Sequence, residues 1–203
     1  MDMNKRSIIL LLSILALLDS CRESTDLKNK DMYYSMQDLS TVEKYDTHVH
    51  LNTKDTALIH LARELNFKLL SLNVAAPEYP SLEQQQQFTM EHRNNFPGEV
   101  AYATSFYIEH IDDSAWQEKT INYLRQSFKN GAIGVKVWKN IGMEYTSKSG
   151  KFVMIDDPRL DSIFNFIEQN NCTLIGHLGE PKNCWLPLEK MTVKNDKDYF
   201  KGH

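Results

Sequence analysis

The chain is 203 residues long and carries a formal net charge of −4, with 25% charged and 41% apolar residues. That mild acidity, with no basic cluster in the body of the chain, argues against a nucleic-acid partner. Its three cysteines are Cys21, Cys172 and Cys184.

The first element is a leader. Lys5 and Arg6 precede an apolar run from Ile8 to Leu18, which Asp19-Ser20-Cys21 follows. A basic patch before so short a run predicts a signal peptide over residues 1–20 rather than a stable membrane span. The box from Leu18 to Cys21 resembles that of bacterial lipoproteins, with Asp19 as its departure. The resemblance implies that Cys21 becomes the lipid-carrying first residue of an exported protein, anchored to a membrane and facing the periplasm or cell surface. A plain cleaved signal with an incidental cysteine is the alternative. Residues 21–43 are polar, without a sustained period, and predict a tether.

Residues 44–203 alternate strand and helix patterns. Strands are predicted at Lys44–Leu51, Lys68–Val74, Val100–Tyr107, Ile133–Trp138 and Cys172–His177. A helix over about Asp55–Asn66 puts Leu58, Leu61, Ala62 and Leu65 on one stripe. Ser81 is placed to cap a second helix, which ends before Phe96-Pro97-Gly98. Ser114 is placed to cap a third, closed at Asn130-Gly131. Asp157-Pro158 opens a fourth, over about Arg159–Gln169, ended at Asn170-Asn171. This alternation implies right-handed crossovers and a parallel α/β sheet, either doubly wound or an incomplete eight-unit barrel. Cys172 and Cys184 lie at opposite ends of the fifth strand, where five or six residues at about 3.3 Å each exceed disulfide reach. Both are expected as free thiols.

The residues with chemical potential gather at strand ends. In Asp46-Thr47-His48-Val49-His50, strand alternation turns Asp46, His48 and His50 to one face. Two imidazoles on one face suit a single divalent metal. Lys136 lies late in the fourth strand, on the barrel side if Val135 and Val137 face helices, and His177 ends the fifth. Barrel sites form at the carboxyl ends of strands, where three strands deliver these residues. Glu180, Lys182 and Trp138 are weaker candidates for substrate contact on the same rim. His60 and His92 fall within helices, and His110 near a loop.

In these residues the chain resembles the amidohydrolase superfamily, most closely the amidohydrolase-related branch called family 2. The likeness runs from about Val42 to the end and rests on three motifs. They are Asp-Thr-His-Val-His, the run from Gly131 to Asn140, and Leu174-Ile-Gly-His177-Leu-Gly-Glu-Pro181. A related nuclease family looks for a glutamate where Ala132 stands. The resemblance implies a (β/α)8 TIM barrel, with residues 44–203 as its N-terminal part and only about the first five units present. It implies Zn2+, or another divalent ion, held by His48, His50 and His177, one ion rather than two. Some binuclear members carboxylate a fourth-strand lysine to bridge two metals, which makes Lys136 a candidate further ligand. An ordinary cation pairing a carboxylate of the substrate or of a neighbouring strand is the favoured role. Asp46 is expected to support the histidines from outside the ligand set.

The implied activity is hydrolysis, metal-activated water attacking a carbonyl-type carbon of a small molecule. The proton-transfer aspartate of the family follows strand eight, and another histidine comes from strand six. Both are expected beyond residue 203, so the chain alone is expected to be inactive and poorly soluble. The alternatives are a decarboxylase or lyase of the same branch and a non-catalytic, lipid-anchored binding protein.

Overall fold

Apolar runs bounded by turn residues become five strands: β1 Lys44–Val49, β2 Phe67–Leu72, β3 Val100–Thr104, β4 Gly134–Val137 and β5 Thr173–Gly176. Each ends a residue or more before its predicted end, because the last residues leave the ladder for the rim. The computed structural model describes residues 35–177 and 179–201, so the predicted leader and Cys21 lie outside the described residues. The chain divides into two units, Met1–Val42 and Glu43–His203. In the described part of the first unit, Met36–Ser40 form a 3-10 turn opened by hydrogen bonds between Ser35 and Asp38. Among the described residues no helix is long and apolar enough to cross a membrane.

All five strands of the second unit are parallel, and their order in the sheet is β1-β2-β3-β4-β5. A doubly wound sheet reverses direction part-way and puts its first strand inside. Strictly consecutive pairing excludes that alternative, and crossovers of one hand then lay every helix on one face. The sheet curls like half a barrel.

The helices are α1 Ala57–Glu64, α2 Leu82–Asn95, α3 Trp116–Lys129, α4 Asp161–Gln169 and α5 Lys194–Phe200. Between β4 and α4, residues Asn140–Met143 form a kinked turn with Gly142 at φ +96°. Ser81 caps α2 as expected: its Oγ accepts from Gln84 N (3.2 Å), while Gln84 Oε1 accepts from Ser81 N (3.3 Å). Asp157 likewise accepts from Arg159 N ahead of α4. Ser114 does not cap α3. That helix starts after Ala115 without a side-chain cap, and Trp116 N donates instead to Asp113 O across a backbone turn. Gly131, at φ +91°, ends the turn after α3, where Arg93 Nη1 donates to the carbonyls of Asn130 and Gly131.

Two apolar clusters fill the space between sheet and helices. Ile59, Ala62 and Phe96 pack on Leu69 and Val100; Trp116, Leu124, Leu160, Ile163 and Ile167 pack on Val135 and Val137. The stripe predicted for α1 is therefore rotated. Ile59 and Ala62 are buried, whereas Leu58 and Leu61 are half exposed, because α1 flanks the edge strand and is covered only on its β2 side. With Val135 and Val137 turned to the helices, Lys136 faces the opposite, inner side of the sheet. Cys172 and Cys184 are free thiols.

Candidate functional site

The carboxyl ends of β1, β4 and β5 supply the site. Its first pair is His48 and His50, whose ring centroids lie 5.3 Å apart at a steep angle. They are not placed by simple alternation. Asp46 is level with Leu69, but Val49 is level with Ser71, so the register slips by one residue between them. That bulge separates Asp46 from the face of His50, correcting the expectation that all three residues share one side. Asp46 Oδ1 instead accepts the main-chain N–H of His48 (3.0 Å) and holds the bulge closed.

His50 is fixed more tightly. Its Nδ1 lies 2.7 Å from the carbonyl oxygen of Leu72, and its ring packs on Tyr79 at 5.1 Å. A carbonyl only accepts, so Nδ1 is the donor and Nε2 is the nitrogen turned away from this bond. This is the way metal-binding imidazoles are commonly set.

His177 follows β5 and donates its main-chain N–H to Val137 O (3.1 Å). Its ring stands edge-on to Trp138 at 5.2 Å, and its Nε2 lies 3.7 Å from Glu180 Oε2. Glu180 Oε1 in turn receives Lys139 Nζ at 2.9 Å, with both side chains largely buried. Lys139 also reaches Tyr199 and lies over the Trp138 ring. Sequence reading missed Lys139, although it stands three residues past Lys136 at the same strand end. Lys182, in the 3-10 turn Lys182–Trp185, is exposed and joins none of these contacts.

Lys136 is the outlier in charge. It is 3% exposed, and among the described residues no side chain pairs with its amine. Burial pushes its pKa down. The same is true of His48, lowered first by burial and then by the nearby charges of Lys136, His50 and His177, against a small opposing pull from Asp46. β1 and β5 are opposite edges of the sheet, about 19 Å apart if it were flat. The curl of the sheet brings these edges nearer than that.

The tautomer of His50 suits a divalent metal, yet among the described residues no three His, Cys, Asp or Glu side chains form a group that holds one. The other described histidines stand apart. His60 packs edge-on against Phe96, His92 is buried with Nε2 against Thr53 O, and His110, at φ +71°, pairs with Asp113.

Comparison with known proteins adds no relative. No family model, curated protein or solved structure matches the chain.

The depressed proton affinity of His48 gives a pH dependence whose sign is fixed. Below its ordinary value of 6.5 the unfolded chain takes up a proton that the folded chain resists. Stability is therefore expected to fall as pH drops through 6.5 toward the lower folded value. Melting temperatures measured between pH 5 and 8 should show this acid loss, and His48→Gln should flatten it. An unchanged acid limb in that variant would remove His48 as its source.

Proposed function

We propose that this chain belongs to a metal-dependent hydrolase of the amidohydrolase type, its five units forming part of a (β/α)8 barrel. The cofactor is one Zn2+ or a similar divalent ion, held by His48, His50 and His177, and the substrate is a small molecule. The observation that carries this reading is the Nδ1 lock of His50 on Leu72 O, which leaves Nε2 free beside His48, an imidazole held toward its neutral form. Imidazole ligands suit zinc, and Trp138 and Tyr79 hold two of the three rings in place. When bound, such an ion supplies an acidified water and a Lewis acid for a carbonyl group. Lys136 offers an unpaired cation to a substrate carboxylate. The leader and Cys21 support export and a lipid anchor.

The test is metal content. After dialysis, wild type is expected to keep about one zinc per chain. His48→Ala and His177→Ala should each weaken zinc binding by more than the ~10–100-fold typical of groups outside the ligand set. Full zinc stoichiometry in both variants would show the ligand assignment to be wrong. The lone Lys136 cation also favours a second reading, a decarboxylase acting on a carboxylate substrate. Release of carbon dioxide without addition of water would select it.

A further inference from the structure

Past the end of β5 lies a cavity of about 590 Å³, bounded by the kinked turn after β4 and by the segment from Glu180 to Phe200. Its walls are apolar: Met143, Phe152, Trp185, Leu188 and Met191. Trp185 and Phe152 are 64% and 55% exposed, so this concavity keeps large aromatic surface in contact with water. The indole is nonetheless held, because Trp185 Nε1 donates to the Glu180 carbonyl at 2.8 Å. Two methionines add adaptable wall.

Among the described residues no lysine or arginine lines this cavity, and the one carboxylate that does, Glu180, is already engaged by Lys139. That lining disfavours phosphorylated or sugar-like ligands and favours a hydrocarbon body. The polar end is equally specific. Glu180 lines the cavity and its Oε2 also lies 3.7 Å from His177 Nε2, so the polar edge of the chamber adjoins that histidine. An apolar pocket with a few polar groups converging at one end is the usual form of a small-molecule site, and this volume falls in the usual range.

We infer that this cavity is the substrate's apolar subsite, taking the aryl or alkyl body of an amphiphilic carboxylic acid derivative. The polar, reacting end then lies toward His177. This inference rests on the hydrolase reading for the reaction but not for the binding of the apolar body.

The test uses the full chain and a series of probes, acetate, hexanoate and 4-phenylbutyrate, titrated calorimetrically with and without zinc. Affinity is expected to rise about fourfold per buried methylene. Trp185→Ala should weaken 4-phenylbutyrate binding at least tenfold while leaving acetate binding, zinc content and far-UV dichroism unchanged. Leu188→Ser repeats the test from another wall should the first variant fold poorly. Equal affinity across the series, or full 4-phenylbutyrate affinity in a folded Trp185→Ala variant, overturns the subsite. So does a dimer that buries Trp185 against a second copy and that the probes do not dissociate. Chain-length dependence without any zinc binding keeps the subsite and removes the hydrolase reading; zinc binding without chain-length dependence does the reverse.

Discussion

Gly134→Ala is expected to destabilise the chain by roughly 1–3 kcal/mol and to loosen zinc on the proposed reading. A Cβ at Gly134 would stand 2.7 Å from the main-chain oxygen of Thr173. That atom is backbone of β5, paired with β4 from Gly134↔Thr173 through Val137↔Gly176, so it yields only if the strand moves. His177 follows directly, its N–H still on Val137 O, and the displacement therefore passes to the imidazole and its Trp138 support. Urea unfolding should show a lower midpoint at unchanged slope. Gly179→Ala, which meets nothing within 4 Å, is the matched control. A Gly134→Ala variant as stable as wild type would mean that β4 and β5 are less closely apposed than described.

Lys136→Met is expected to act in the opposite direction and raise stability. A lysine 3% exposed with no partnering side chain carries a desolvation cost on its charge, whereas methionine fills a similar volume without one. Even for buried ion pairs, replacement by apolar side chains of similar volume is often neutral or stabilising by roughly 1–4 kcal/mol, and an ammonium without a partnering side chain has less to lose. The gain should be pH-dependent. Burial lowers the pKa of Lys136 in the folded chain from 10.5, so between the two values the unfolded state binds a proton that the native state does not. Wild-type stability then rises with pH across that window, and the advantage of methionine shrinks as pH approaches 10.5. A Lys136→Met chain less stable than wild type at neutral pH would show that the amine has a partner. Stability gained by removing a site residue is the usual mark of a position kept for function.

The parts of this fold legible in the sequence are those written locally. Ser81 with Gln84, Asp157-Pro158 and Asn130-Gly131 punctuate helices through bonds to their own neighbourhood, and each boundary falls where those residues put it. His48, His50 and His177 were likewise readable as polar residues at strand ends. What could not be read depends on distant partners. The bulge after Asp46 exists only in the pairing of β1 with β2. The proton on His50 is placed by a β2 carbonyl, and Lys139 gains its role only when Glu180 arrives from beyond β5. Leu58 and Leu61 show the same limit: an apolar stripe on a helix does not say which of its sides a neighbour covers.

The unbroken order of the five strands also bears on how the site comes into being. Each strand docks only on the one before it, so the sheet can grow in the direction of synthesis, one crossover at a time. His48 and His50 are in place at the first pairing, but Lys136, the charge that most lowers the proton affinity of His48, arrives with β4, and His177 only after β5. His48 protonation followed during refolding should therefore change late, after the β1–β2 pairing is protected from hydrogen exchange, and it would serve as a clock for the arrival of β4 and β5.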